Sequence, residues 1–152
     1  MVNLDTFVSE LQDALNEQAK DAYGAEAFDR WRNPPHQGEP PGTNGRGAST
    51  GSCGDTITIF LCIEDDTVRD AGFHTDGCGS SQISGSMTAE LALGMRCEDL
   101  TSITGEVVRD RLGRLLKDDE HCAWLAVNAL HDALGDYYRR TLRTIGNPQE
   151  TV

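Results

Sequence analysis

The sequence predicts an α+β fold, a small antiparallel β-sheet covered by helices and preceded by an extra amphipathic helix, and three observations lead there. Ile57, Ile59, Leu61 and Ile63 alternate with Thr56, Thr58, Phe60 and Cys62, the period of two that marks a half-buried strand. A second strand, about Thr67 to Thr75, follows the turn Glu64-Asp65-Asp66 so closely that an antiparallel hairpin is the simplest connection. On both sides of this pair apolar residues recur at three- and four-residue spacing instead, the period of helices.

The elements follow in order. Leu4, Phe7, Val8, Leu11 and Leu15 share one helical face, with Asn3 in position to cap the first turn. Packing on its own domain is the simpler reading of that helix, and partner binding the other. A short second helix is expected over Ala25 to Trp31, stopping at Asn33-Pro34-Pro35 because a residue before proline is pushed out of the α region. From Asn33 to Ser52 the chain is rich in Gly, Pro, Ser, Thr and Asn with almost nothing apolar to bury, which predicts a mobile loop with regular structure only after it. Beyond the hairpin, Gly77-Cys78-Gly79 leads into Ser80-Ser81, a natural helix start, and Ile83, Met87 and Leu91 recur until Gly94 closes that helix. Met87 reads as core. A further helix fits Gly105 to Leu116, and a long one His121 to Arg143, where Trp124, Val127, Leu130, Leu134 and Tyr138 fall within one apolar arc and read as core.

Composition narrows the function. A chain of 152 residues fits one domain with one core. With 25 acidic and 13 basic residues its formal net charge is −12, and the only lysines are Lys20 and Lys117. Nucleic-acid affinity comes largely from Lys and Arg displacing counterions, so binding to nucleic acid or to an anionic membrane is disfavoured. A salt-adapted or GC-rich source explains the same balance, so the charge names no partner. Five cysteines, Cys53, Cys62, Cys78, Cys97 and Cys122, are an odd number in a chain without a leader-like start and without an apolar run near 20 residues. They predict free thiols in a soluble, cytoplasmic protein rather than a disulfide framework.

Three of these cysteines stand at element boundaries, where side chains from different elements converge. Cys53 precedes the first strand, Cys78 lies between strand and helix, and Cys122 begins the last helix. The positive end of a helix dipole favours thiolate, the form that binds metal or accepts sulfur. Asp55 follows Cys53 by two residues, and His121 directly precedes Cys122. Three thiolates with Asp or His suit Zn²⁺ or iron. Gly77 and Gly79 around Cys78, and Gly54 after Cys53, suggest a backbone that approaches a bulky inorganic centre closely.

Cys53-Gly54-Asp55, the run Gly77-Cys78-Gly79-Ser80-Ser81 with Ser84 and Ser86, and His121-Cys122 leading a helix resemble the three-part signature of the IscU/NifU-type iron–sulfur cluster assembly scaffolds, the NifU N-terminal domain family. The gaps are similar too, 24 residues between Cys53 and Cys78 and 43 between Cys78 and Cys122. Upstream, Phe28-Asp29-Arg30-Trp31-Arg32-Asn33-Pro34-Pro35-His36-Gln37-Gly38 resembles that family's "D-H-x-x-N-P-R-N-x-G" segment. The likeness covers Ala25 to Arg140.

The resemblance implies a domain at 25–145, with a helical extension at 1–24 and a tail at 146–152. It implies a scaffold and sulfur acceptor rather than an enzyme: a cysteine desulfurase delivers persulfide sulfur, iron joins it, an electron donor such as ferredoxin reduces the sulfur, and a labile, transient [2Fe-2S] cluster forms before transfer to acceptor apoproteins. Cys53, Asp55, Cys78 and Cys122 would line the site, with His121 a further or alternative ligand and Zn²⁺ an alternative metal in the isolated protein. Cys122, at a helix start beside an imidazole, is the expected persulfide acceptor. Asp55, a harder and more weakly held ligand than thiolate, would keep the cluster exchangeable. Whether two chains form a homodimer around one cluster is open.

The chain also departs from the pattern. Where many such scaffolds carry a Leu-Pro-Pro-Val-Lys motif for an Hsp70 chaperone, this chain has Leu115-Leu116-Lys117-Asp118-Asp119-Glu120, so chaperone dependence is not expected. His36 reads as a solvated loop residue, and Cys62 and Cys97 as structural. Three alternatives compete. One is a zinc-binding activator of a desulfurase, as in the SufU relatives, which carry an insertion between the second and third cysteines where the gap here is short. Another is a hydrolase using Cys122 with His121 or His74, although adjacent residues on a helix rarely face each other well enough. The third is a structural zinc protein, for which a closed site without Asp is expected.

Overall fold

The computed structural model describes residues 3–23, 25–52, 54–77, 79–113 and 120–146. Three strands, β1 (Gly45–Thr50), β2 (Thr56–Glu64) and β3 (Thr67–Thr75), form an antiparallel sheet in the order β1-β2-β3. The helices are α1 (Leu4–Tyr23), α2 (Ala25–Arg32), α3 (Gly79–Ala92), α4 (Gly105–Leu112) and α5 (His121–Gly146), with a 3₁₀ turn at Cys97–Ser102. No helix among the described residues is long and apolar enough to cross a membrane. The α+β class, the hairpin and the N-terminal helix are as the sequence predicts.

The strand β1 is the main departure from the expected mobile loop. Its sequence, Gly-Arg-Gly-Ala-Ser-Thr, offers no apolar alternation because α5 lies directly against it. A Cβ on Gly47 would stand 2.2 Å from the Ala133 nitrogen, and one on Gly45 2.8 Å from the Ala133 oxygen. The outward N–H groups of this edge are taken up by α5 as well: Arg46 N donates to Asp136 at 2.9 Å and Ala48 N to Asp132 at 3.1 Å. Those two carboxylates therefore cover a strand edge that would otherwise present free backbone donors.

The strand β2 pairs with β1 from Gly45↔Leu61 to Thr50↔Thr56 and with β3 from Ile57↔Thr75, with a bulge between Cys62 and Ile63. It is buried on both faces rather than half-buried. Ile57, Ile59 and Leu61 face a core shared with Phe73, Ile83, Met87, Leu100 and Leu130. On the other face the Arg46 guanidinium lies over the Phe60 ring, 5.3 Å from its centroid, and the Cys62 thiol donates to the Pro41 carbonyl at 3.3 Å. The free edge of β3 is covered at both ends. Val68 N donates to Met95 O, and Gly38 N donates to Phe73 O while Phe73 N donates to His36 O.

The helix α3 is almost entirely buried, and its small residues let it sink into the sheet: a Cβ on Gly85 would stand 2.7 Å from the Phe73 ring. Arg30 of α2 is buried against it, donating to Ser86 Oγ at 3.1 Å and pairing with Glu90. In α4 the N-cap Thr104 accepts from Val107 N, and Gly113, at φ 82°, ends the helix at Leu112, earlier than the expected Leu116. The stretch 114–119, which holds most of the segment in place of the chaperone motif, lies outside the described residues.

Two expectations about packing are corrected. In α5, Val127, Leu130 and Leu134 are buried, but Trp124 and Tyr138 are 39% and 42% exposed. Trp124 lies across the Gly105 backbone with the Arg109 guanidinium 5.5 Å over its ring, at the rim rather than in the core. Asn3 caps α1 as expected, its Oδ1 accepting from Asp5 N at 3.0 Å. Leu4, Phe7, Val8, Leu11 and Leu15, however, are each more than half exposed, so this face does not pack on the domain. The core is already closed by the sheet with α3, α4 and α5, and α1 packs chiefly on α2.

Candidate functional site

The site is assembled at one end of the sheet. The register pairs Thr50 with Thr56 and Ile57 with Thr75, so the β1–β2 turn and the exit of β3 lie side by side. The turn is closed by Gly51 N donating to Asp55 O at 2.9 Å and Gly54 N to Gly51 O at 3.0 Å. The two connections are laced together where Thr56 N donates to Asp76 Oδ1 at 2.9 Å and Thr75 Oγ1 to Thr56 O at 2.7 Å. Cys53 belongs to the first connection and Cys78 to the second, but both residues lie outside the described residues.

Asp55 and Cys122 meet through a residue that the sequence offers as part of a helix start and of the signature run, with no role of its own. Ser81, in the first turn of α3, donates to Asp55 Oδ2 at 3.1 Å, and its Oγ lies 3.6 Å from Cys122 Sγ. Ser81 is fully buried and Cys122 is 1% exposed. Cys122 is the second residue of α5, where a side chain points back towards the helix N-terminus and the positive end of its dipole. The His121 ring, on an exposed residue, places Nε2 3.8 Å from Cys122 Sγ. The neighbouring imidazole and thiol therefore do come within reach, against the expectation for adjacent helical residues.

The glycines have local reasons in the fold. A Cβ on Gly77 would stand 2.7 Å from Asp55 Cγ and 2.8 Å from Ser81 Oγ, so Gly77 makes room for those two groups. One on Gly79 would stand 2.6 Å from the Trp31 ring, so the glycine after Cys78 accommodates an indole from α2. Gly54 has open space beside it and is required instead by its φ of 93°.

The remaining candidates lie elsewhere. The His36 ring sits 3.8 Å from Glu90 Oε1 and its carbonyl is bonded to β3, so it is an ordered strand-edge residue rather than a solvated one. His74 is an exposed residue of β3 opposite Thr58. Cys62 and Cys97 are buried in β2 and the 3₁₀ turn, and burial pushes both thiols above their ordinary range, with Asp70 and Glu39 adding to the shift at Cys62 and Asp66 at Cys97. They fit the structural role expected of them.

Among the described residues no three His, Cys, Asp or Glu side chains form a metal-binding group. The donors that are described nevertheless suit a thiophilic metal. The Cys122 thiol at a helix N-terminus has the His121 ring 3.8 Å away and is joined to the Asp55 carboxylate through Ser81, and in sequence the two further cysteines fall in the adjoining connections. Ser81 is the residue that sequence reasoning misses. Its signal is faint, because a serine after Gly-Cys-Gly-Ser reads as capping and only the fold reveals the two groups it touches.

Comparison with known proteins bears on the same features. The family model described as "NifU-like N terminal domain" matches residues 22–144. The "Iron-sulfur cluster assembly scaffold protein IscU 1" of Archaeoglobus fulgidus is 35% identical over 119 residues, which cover 78% of this chain and 78% of that protein. The "Nitrogen fixation protein NifU" of Azotobacter chroococcum is 33% identical over 125 residues, 80% of this chain and 40% of that longer protein. Among solved structures, the N-terminal part of a nitrogen-fixing NifU-like protein from Brucella abortus superposes with a TM-score of 0.61 at 16% identity, covering 80% of this chain and 97% of that one. That likeness supports the fold.

Proposed function

The chain belongs to the family of NifU-like N-terminal domains, and on that premise we propose that it is a scaffold on which iron–sulfur clusters are assembled before being passed to apoproteins. The observation that supports this best is the linkage of Asp55 to Cys122 through Ser81, with the His121 ring beside Cys122. In this reading residues 25–145 form the scaffold domain, 1–24 a helical extension and 146–152 a tail. Cys53, Asp55, Cys78 and Cys122 hold the cluster, with His121 as a further or alternative ligand. Zn²⁺ occupies the same donors when cluster components are absent.

Sulfur arrives by exchange. The Cys122 thiolate attacks the outer sulfur of a desulfurase persulfide, the S–S bond to the donor cysteine breaks, and that cysteine leaves as thiolate, so no net oxidation occurs. Converting the received sulfur to sulfide takes two electrons, the part of a donor such as ferredoxin. Carboxylate ligation by Asp55 keeps the product exchangeable, as a scaffold requires.

The test is anaerobic purification, then incubation with iron, cysteine, a cysteine desulfurase and a reductant, followed by optical spectra and analysis of iron, zinc and sulfide. The expected product carries iron and sulfide in equal amounts, with visible absorption that disappears on addition of an apoferredoxin. A colourless protein that keeps one zinc through the whole procedure would sink the scaffold reading and leave the zinc-bound desulfurase activator.

A further inference from the structure

We propose that Ser81 is a positioning residue whose buried hydroxyl, in contact with both, fixes the Asp55 carboxylate and the Cys122 thiol relative to one another. The inference rests on the reading of Asp55 and Cys122 as ligands, and it adds a residue that is itself no ligand.

The hydroxyl of Ser81 touches both groups at once. A serine hydroxyl carries one proton and two lone pairs. Ser81 donates its proton to Asp55 Oδ2 at 3.1 Å, and the same oxygen lies 3.6 Å from Cys122 Sγ, a contact in which either atom can be the donor. The result is a linkage of thiol, hydroxyl and carboxylate that joins α5 through α3 to the β1–β2 turn.

The surroundings fix the hydroxyl. Ser81 is fully buried, and Gly77 leaves only the space that Asp55 and Ser81 occupy, since a Cβ there would approach both within 2.8 Å. Its neighbour on the next turn supplies a contrast: Ser84 is equally buried, but its Oγ has no hydrogen-bond partner among the described residues. Ser81 alone of these two is joined to candidate ligands. Partners that orient metal ligands typically carry about 10–100-fold of metal affinity.

The experiment is an anaerobic Co²⁺ titration of the intact chain, of Ser81→Ala and of Ser84→Ala, each against a competing chelator, reading both affinity and the thiolate-to-cobalt charge-transfer band. Folding of each variant is checked by far-UV circular dichroism, and both substitutions remove one oxygen from a helix that tolerates alanine. The expected result is about 10-fold or greater weakening with a shifted band in Ser81→Ala, and wild-type behaviour in Ser84→Ala. Ser81→Ala binding like wild type overturns the positioning role while leaving the ligand set standing. Equal weakening in both variants overturns it too, because the effect then belongs to buried hydroxyls generally. A wild-type chain that shows no cobalt–thiolate band overturns the ligand reading itself, and the role of Ser81 with it.

Discussion

Gly47 lies so close beneath Ala133 that a Cβ on it would stand 2.2 Å from the backbone nitrogen of that helix. Neither neighbour can yield cheaply, since one is a strand paired along its length and the other the middle of α5. Gly47→Ala should therefore cost about 3 kcal/mol or more. Gly42→Ala, at φ 84° with open space, should cost about 1 kcal/mol through backbone strain alone. Urea unfolding of the two variants checks the difference, and equal losses would mean that α5 does not seat on β1.

Arg30 is buried between α2 and α3, while its partner Glu90 is 38% exposed on the side chain and also faces His36. Removing the carboxylate leaves a guanidinium with little water to replace it. Glu90→Gln is expected to lower stability by about 2 kcal/mol, below the full value for a buried pair because Glu90 is partly solvated. Glu98→Gln, which breaks an exposed pair with Arg96 at 3.4 Å, should stay within about 0.5 kcal/mol. Denaturation midpoints of both decide the ranking.

Stability should fall in alkali. Burial raises the Cys62 and Cys97 thiols above their ordinary value of 9.0, so the folded chain keeps protons that the unfolded chain releases. That contribution is fully present below pH 9.0 and is lost as the pH rises through the higher folded values. The unfolding free energy should thus be insensitive to these thiols near neutrality and decline above pH 9.0. Cys97→Ala should flatten part of the decline, and thiol-reactive dye should label Cys62 and Cys97 only on unfolding.

Asp55 bears on the release of product. With a weakly held ligand removed, Asp55→Ala should pass its cluster to an apoferredoxin more slowly than wild type, followed by the rise of the acceptor's circular dichroism. Transfer at an unchanged rate would remove Asp55 from this role.

The elements that write their own periodicity are legible in the sequence: the β2–β3 hairpin through alternation, and α3 and α5 through recurring apolar residues. The strand β1 is not, because what recommends Gly45 and Gly47 is the absence of side chains, and their partner Ala133 is far along the chain. The exposed stripe of α1 is the converse case. Its amphipathic pattern is clear, yet a pattern does not say whether the remaining elements leave a core face for it to cover. In the site, residue type and spacing single out Asp55, His121 and Cys122, whereas the hydroxyl of Ser81 has no chemical signature until α3 sets it between two of them. Asp132 and Asp136 likewise look like solvated surface, and only the fold assigns them to the N–H groups of a strand edge.

The Asp55–Ser81–Cys122 linkage also has a direction in time. The chain emerges from the ribosome N-terminus first, so the turn carrying Asp55 and the first turn of α3 are made well before Cys122 exists. Asp55, Ser81 and Cys122 are thus distant along the chain, and no stretch of it short of all three holds the linkage. The linkage closes only when α5 docks, and α5 docks by the same contacts that complete the edge of β1. A nascent chain that meets a free metal ion early faces an incomplete set of donors, and completion of the site coincides with completion of the fold.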